Sequence, residues 1–413
     1  FLQQQEIMVP PVHRWIRISL FNLLIVASLG LVLRYKILFP LPFIDQKHLL
    51  HGHSHFAFAG WISQAIMTLV VMYLSRQAGE MMFRRYRWLL YANLATAYAM
   101  LIAFPIEGYG LYSIIFSTAS IFVSYAFAVY VWRDLNKLKE KTPTHLWFKA
   151  AVFFNAFSSI GAFALAFMMV NRVVFQNAYL AAEYFYLHFQ YNGWFFFGCM
   201  GLLNEVLRRV DTDPRLLTQM FWLFGAAAIP AYFLSALWMD LPVWVYILVV
   251  VSAIAQVLGW GKMLVQIRRK WPVLKDTLPL TAKWIMGFSA VALSIKLLLQ
   301  LGSTIPSLSD LAFGFRPIII GYLHLVLLGM ITLFLLSYFF AGEYIKANRK
   351  TSFAVFLFAG GVIINEILLM IQGVSAMSYV AVPYINELLF ATAFILFSGA
   401  LLLVSTSSKY FQT

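Results

Sequence analysis

The sequence has few charged residues, a single cysteine and no stretch that could fold as a separate soluble domain. Charged residues make up 11% of the 413 residues, against about 25% in soluble proteins. The one cysteine, Cys199, lies in an apolar segment. It therefore excludes an internal disulfide and argues against thiolate ligation of a metal. The chain also has no glycine-rich phosphate loop, low-complexity tract or heptad repeat, which excludes P-loop and coiled-coil classes.

What the sequence does contain is long apolar runs, and 62% of its residues are hydrophobic. Windows long enough to cross about 30 Å of hydrocarbon occur twelve times. The chain is therefore predicted to be an all-α polytopic protein of the lipid bilayer, with residues 1–413 forming one transmembrane domain. The windows, numbered helices 1 to 12 in chain order, lie near 16–33, 48–75, 88–105, 111–132, 147–170, 184–206, 217–238, 243–263, 283–302, 317–342, 353–372 and 384–405.

Basic residues outnumber acidic ones, 30 to 16, and most of them lie in every second connection along the chain. Positive charge concentrates in the cytoplasmic loops of membrane proteins. This distribution predicts that both termini are cytoplasmic and that the chain lies in the inner (cytoplasmic) membrane of the cell. The net charge of +14 is accordingly interpreted as a topology signal, and no nucleic-acid partner is expected.

Three histidines each begin the same short pattern, with an apolar residue next and glycine five positions on. They fall on predicted helices 2, 6 and 10, which all start at the outer face. At 1.5 Å per residue each lies roughly 8–12 Å into the membrane. This even spacing predicts three four-helix units around a pseudo-threefold axis. The copies are His55-Phe56-x-x-x-Gly60, His188-Phe189-x-x-x-Gly193 and His324-Leu325-x-x-x-Gly329.

Neutral imidazoles that converge inside a membrane bundle suit a transition metal or haem iron. On helix 2, His51 and His55 are four residues apart and share a face, whereas His53 lies about 200° from His51 and faces elsewhere. Arg316, two turns before His324, could neutralise haem propionates. The alternative for each histidine is a hydrogen bond between helices. The candidate metal ligands are His51, His53, His55, His188 and His324.

Two further charged residues lie near the middle of predicted helices 9 and 11. Lys296 and Glu366 fall at similar predicted depths. They could form a buried ion pair, or they could be part of a proton path. By contrast, His13 and His145 fall in predicted cytoplasmic loops, and we expect both at the surface.

Twelve helices with histidines on helices 2, 6 and 10 resemble the catalytic subunits of the haem–copper oxidase superfamily, including nitric-oxide reductases, and also the NnrS membrane haem-protein family. His51-Gly52-His53-Ser54-His55-Phe56 looks like the histidine-rich opening of helix 2. Tyr186-Leu187-His188-Phe189-Gln190-Tyr191-Asn192-Gly193 is similar to helix 6 of nitric-oxide reductases, with Asn192 in place of an acidic residue. Gly321-Tyr322-Leu323-His324-Leu325 is similar to the His-x-His of helix 10, with Tyr322 in place of the first histidine.

The resemblance implies a low-spin haem b held by His324 and a helix 2 histidine, His51 or His55. Tyr322 stands where a second haem would be ligated, so a phenolate would have to replace imidazole there. Predicted helix 7, residues 217–238, contains no histidine, which excludes a standard binuclear centre. His188 could ligate a second haem, or a copper ion with His53, or it could be hydrogen-bonded to Tyr322 or Gln190. Tyr322 and His188 are the candidate catalytic residues.

The leading hypothesis is a membrane haem protein with one or two haems b, with copper as a possible addition. It would handle nitric oxide or transfer electrons from quinol, because the chain has no Cys-x-x-Cys-His motif for haem c. One alternative is a divergent terminal oxidase or nitric-oxide reductase subunit, acting on oxygen or nitric oxide. The other is a transition-metal or proton-coupled transporter, in which Lys296 and Glu366 carry protons.

Overall fold

The computed structural model describes residues 10–308 and 315–408, and these residues contain no β-strand. We number the α-helices in chain order. They are α1 (Pro10–Leu38), α2 (Gln46–Phe56), α3 (Gln64–Ala78), α4 (Met81–Glu107), α5 (Leu111–Lys137), α6 (Pro143–Val170), α7 (Gln176–His188), α8 (Phe196–Arg209), α9 (Pro214–Gly225), α10 (Val243–Thr277), α11 (Leu280–Gly302), α12 (Arg316–His324), α13 (Leu333–Ala341), α14 (Arg349–Met377) and α15 (Ile385–Ser408).

Within the described residues, three π-helical segments join pairs of α-helices without a break. The wider π turn links α2 to α3, α7 to α8, and α12 to α13, so each pair forms one continuous helical rod. The segments are π1 (Ala57–Ser63), π2 (Phe189–Phe195) and π3 (Leu325–Thr332).

Ten helical segments of the described chain are long and apolar enough to cross a membrane, as expected of a multi-pass membrane protein. They match ten of the twelve predicted spans. The predicted span at 184–206 is not among them, although the chain is helical from Gln176 to Arg209. Polar residues that face the interior, among them His188, Gln190 and Asn192, lower the hydropathy of this rod.

The other missing span, predicted over 217–238, is wrong as a continuous helix. α9 ends at Gly225, and a short 3₁₀-helix, Pro230–Ser235, follows after a turn. Proline has no N–H to donate and disfavours helical backbone in the residue before it. Pro230 therefore explains why the α-helix cannot continue through this region.

The chain divides into two compact units. The first contains the residues up to Val123, Thr277–Ala290 and the residues from Ile320 onward. Inside it, α15 packs against both α14 and α1, and α2 packs against α4. The second contains Ser124–Asp276 and Val291–Ile319. Inside it, α6 packs against α7, π2, α8 and α9.

A glycine sets the distance between α2 and α4 in the first unit. A Cβ atom added to Gly52 would lie 2.9 Å from Cγ of Pro105, closer than carbon atoms approach without a shift. No residue with a side chain fits there unless one of the helices moves. Gly52 thus lets the histidine-bearing face of α2 lie directly against the end of α4.

The expectation that His145 is a surface residue is wrong, because only 4% of it is exposed. α6 begins at Pro143, four residues before the predicted window, so His145 falls in its first turn. There the Glu205 carboxylate acts on the ring electrostatically. The chain termini, predicted to be cytoplasmic, lie outside the described residues, and their orientation stays a prediction.

Candidate functional site

Each repeated histidine motif lies at a junction between an α-helix and a π-helix. His188 ends α7 and His324 ends α12, and a π-helix starts at the next residue in both cases. His55 lies two residues before π1. The glycine five positions after each histidine falls inside the π segment. Because π turns in α-helices are frequent at functional sites, the motif has a structural counterpart at all three positions.

The π segments of the first unit expose backbone carbonyls that accept hydrogen bonds from other helices. Asn22 on α1 donates through Nδ2 to the Gly60 carbonyl at 2.5 Å, and Asn93 on α4 donates to the Ala59 carbonyl at 3.0 Å. On π3, the Met330 carbonyl accepts from the Ser289 hydroxyl at 2.7 Å. These bonds fix the π segments against their neighbours. The asparagines were missed from sequence, although a buried amide in an apolar helix is itself a signal.

Two histidines of the first unit on different helices are His53 on α2 and His324 at the end of α12. They are close enough to interact electrostatically. The His53 ring lies against α1, where the Val26 carbonyl accepts a hydrogen bond from it. Its Nδ1 atom is buried and has no hydrogen-bond partner. His324 Nδ1 lies 2.8 Å from the Ile320 carbonyl. An N–H on that nitrogen donates to the carbonyl, so the lone pair of His324 is on Nε2.

His53 and His324 are surrounded by protein atoms, yet each keeps part of its surface accessible. His188 differs, because it is only 2% exposed. In the first pair, Nε2 of His324 has no hydrogen-bond partner among the described residues, whereas the unpartnered Nδ1 of His53 is buried, so an added group would reach it only after neighbouring side chains move.

Arg34 on α1 is a basic residue near His53 and His324, and its charge acts electrostatically on His324. It lies one helical turn after Gly30, whose added Cβ would lie 3.5 Å from Cε1 of His53. Arg316, the predicted propionate partner, is exposed at the first position of α12. Sequence reasoning missed Arg34, although it is the first charged residue after the helix 1 window.

His51 and His55 occupy a different face of α2 from His53, as the helical periodicity predicted. The His55 ring stacks on Phe104 with 4.1 Å between centroids and 10° between planes, and its Nε2 lies 3.3 Å from the Tyr109 hydroxyl. The His51 ring meets Tyr109 edge-on at 4.6 Å. Among the histidines of α2, His53 therefore interacts electrostatically with His324, and His51 and His55 pack against the end of α4.

Asp45 starts the helix that carries these histidines. Its carboxylate accepts the backbone N–H of His48 at 2.8 Å and caps α2. This hydrogen bond favours the ionised form and holds the pKa of the Asp45 carboxyl below its ordinary value. Ionised Asp45 also complements the positive end of the helix dipole.

His188 uses both of its ring nitrogens in hydrogen bonds inside the second unit. Its Nε2 lies 2.9 Å from the Ala228 carbonyl, and Asn192 Nδ2 lies 3.2 Å from its Nδ1. This pattern requires a neutral ring that donates from Nε2 and accepts at Nδ1. Ala228 lies in the turn after α9, where the helix has ended, so its carbonyl needs a side-chain donor. No lone pair of His188 remains for a metal.

Tyr322, the other predicted catalytic residue, lies on α12 two residues before His324 and is partly accessible. Residues two apart on a helix point about 200° away from each other. The Tyr322 phenol and the His324 imidazole therefore leave α12 on opposite sides.

The donor groups present fit axial ligation of a haem better than a site built from protein ligands alone. Nowhere in residues 10–308 or 315–408 do three or more His, Cys, Asp or Glu side chains converge to hold a metal ion. Zinc sites take three or four protein ligands, whereas haem iron needs only one or two axial side chains. His53 and His324 each offer an unused ring nitrogen. His188, the predicted partner of His53 at a copper ion, belongs to the other unit.

No model of a known protein family matches the chain, and no curated protein is similar to it in sequence.

Proposed function

We propose that the chain is an integral-membrane haem protein, related to haem–copper oxidases and NnrS, in which His53 and His324 are the axial ligands of one haem b. The observation that supports this is the electrostatic interaction between an imidazole of α2 and an imidazole of α12, each with a ring nitrogen that no described protein group uses. The His324 Nδ1–H bond to a backbone carbonyl is the orientation that ligating histidines normally adopt. The resemblance implies the same two helices.

Electron transfer is the role that two axial imidazoles favour. Haem supplies one-electron chemistry, and an iron with two axial side chains has no open position for a gas. Quinol is the proposed reductant, since the chain has no attachment motif for haem c. Nitric-oxide or oxygen chemistry would need a second centre. His188 does not provide such a centre, because both of its ring nitrogens are hydrogen-bonded. Residues 217–238 contain no histidine and so lack the usual ligands for it.

A metal-ion transporter is less well supported, because a transported transition metal would need a group of several donors at some point on its path. The described residues contain no such group of three. Copper is a weaker proposal than haem for the same reason.

The experiment is a pyridine haemochrome assay with metal analysis on the purified protein, followed by absorption spectra before and after dithionite reduction. One haem b per chain is expected, with a low-spin spectrum. His53→Ala and His324→Ala should each remove or convert that spectrum.

The matched controls are His55→Ala and His188→Ala, which remove equally deep imidazoles that already have partners. Both should keep the wild-type haem content. If His53→Ala keeps the wild-type spectrum and His55→Ala loses the haem signal, the ligand on α2 is His55 and not His53. Absence of haem from the wild-type protein would refute the proposal.

A further inference from the structure

Lys296 on α11 is buried within the second unit, with 2% of its surface exposed. It borders a small enclosed cavity together with the polar side chains of His188, Asn192 and Gln256. The aromatic ring of Phe196 forms part of the wall, 5.7 Å from the Lys296 ammonium. No carboxylate lines this cavity. A buried ammonium without a carboxylate needs other acceptors, because unpaired charge is costly in hydrocarbon.

The polar groups around the cavity include one hydrogen-bond donor and one acceptor that both lack partners among the described residues. Asn192 uses Nδ2 for His188, while its Oδ1 is buried and accepts no hydrogen bond. The Lys296 ammonium lies 5.7 Å from the centre of the Phe196 ring, and no described residue accepts a hydrogen bond from it. Gln256 forms no hydrogen bond with another described side chain. The cavity is thus bordered by a donor that lacks an acceptor and by an acceptor that lacks a donor.

The size of the cavity limits what could satisfy both groups. The space open to the centre of a water molecule is about 10 Å³, which is room for about one water. We propose that one water molecule is bound here, accepting a hydrogen bond from Lys296 Nζ and donating one to Asn192 Oδ1. A halide ion of similar size would satisfy the ammonium alone, because it has no proton to donate to the amide oxygen.

This water would complete a hydrogen-bonded chain through the second unit. The chain runs from Lys296 through the water to Asn192, then to His188 and the Ala228 carbonyl beyond the end of α9. It explains how three buried polar side chains are held in one apolar bundle, since Asn192 and His188 would each have a partner on both sides and Lys296 would have the water as its acceptor. This proposal is independent of the haem proposal, because none of the hydrogen-bonded residues Lys296, Asn192 and His188 belongs to the site around His53.

The experiment is a density map of the full-length wild-type protein at a resolution that shows ordered waters. We expect a peak in the cavity within about 3.2 Å of both Lys296 Nζ and Asn192 Oδ1. An empty cavity, with both side chains well ordered, would overturn the proposal. Crystals grown in bromide separate water from an anion. An anomalous peak at this position would overturn the proposal in favour of an anion site.

The variant for the same map is Lys296→Met, which keeps the length of the side chain and removes the donor. Exposed Lys262 on α10 gives the control, Lys262→Met. The peak should disappear in Lys296→Met and remain in the control. A peak of unchanged height in Lys296→Met would show that the ammonium does not hold the water, and would also overturn the proposal. If Lys296→Met does not fold, the wild-type map and the bromide crystals decide the question.

Discussion

The indole N–H of Trp61 donates a hydrogen bond of 3.0 Å to the hydroxyl of Thr332, and both residues are almost fully buried. Trp61 lies in π1 and Thr332 is the last residue of π3. The two π segments that follow the His53 and His324 helices are therefore joined directly, side chain to side chain. This bond fixes the two candidate ligand helices in register below the histidines.

Removing this bond should loosen the two helices measurably. Trp61→Phe deletes the indole N–H together with part of the ring, whereas Thr332→Val deletes the hydroxyl with little change in volume. Between membrane helices such bonds contribute about 0.6 kcal/mol on average and about 1.7 kcal/mol at most. A double-mutant cycle of thermal or denaturant unfolding in detergent should give a coupling energy in that range. Additive effects of the two substitutions would contradict the link.

The contact between Gly52 and Pro105 predicts a strong dependence on side-chain size. Gly52→Ala should destabilise the protein by about 1–3 kcal/mol, because the added methyl group forces α2 away from α4. The matched control is Gly360→Ala on α14, where an added Cβ meets nothing within 4 Å. The control should be neutral or slightly stabilising, since alanine favours helix over glycine. Equal melting temperatures for the two variants would contradict the close approach.

Glu205 holds two arginines in the second unit. Its buried carboxylate pairs with Arg208 at 3.0 Å and with Arg209 at 2.9 Å. Glu205→Gln leaves Arg209 without a carboxylate partner among the described residues and Arg208 with Glu140 as a carboxylate partner, and the loss of these charge-assisted hydrogen bonds should cost about 1.5–3 kcal/mol. Glu140 also pairs with Arg208, but its side chain is 66% exposed, so Glu140→Gln should cost about 1 kcal/mol or less. Thermal unfolding of the two variants in parallel tests this ranking, and a larger loss in Glu140→Gln would reverse the interpretation.

Arg34 provides a test of the haem proposal that does not depend on turnover. A positive charge close to His324 disfavours the ferric state, so Arg34→Gln should lower the midpoint potential of the haem. The size is about 59 mV for every 1.4 kcal/mol of lost electrostatic stabilisation. Arg316→Gln, at the exposed start of α12, should change the potential less. A potentiometric titration in which Arg316→Gln gives the larger shift would contradict the placement of Arg34 near the haem and would favour Arg316.

Much of the candidate site follows from residue spacing. The three histidine positions, and the separation of His53 from His51 and His55 around α2, need only the 100° step of a helix. Which of those faces meets α12 could not be derived in this way, because the spacing does not fix the rotation of a helix against its neighbours. The partner of His324 was therefore open between His51 and His55 in the sequence analysis, whereas the electrostatic interaction with His53 in the structure leads to the proposal of His53.

The second unit shows a different limit of prediction from sequence. The end of α9 before Pro230 has a clear local cause, and it could have been expected from the proline alone. That the Ala228 carbonyl would then accept a hydrogen bond from His188, forty residues earlier, depends on how α7 and the turn after α9 pack. The role of His188 as a hydrogen-bond donor to the backbone is thus a consequence of tertiary structure.

The π segments also have a consequence for how these three rods tolerate change. A π turn holds more residues than an α turn, and each residue added to or removed from a helix rotates everything beyond it by about 100°. Rewinding π1 as regular α-helix without changing its length would leave His53 and His55 where they are and turn the whole of α3 away from its present neighbours, whereas removing one residue at the same time would largely restore the orientation of α3. Each π segment therefore changes the rotation of the helix that follows it relative to the helix before it. The half of a rod that carries the histidines and the half that packs in the core can then be oriented independently of each other.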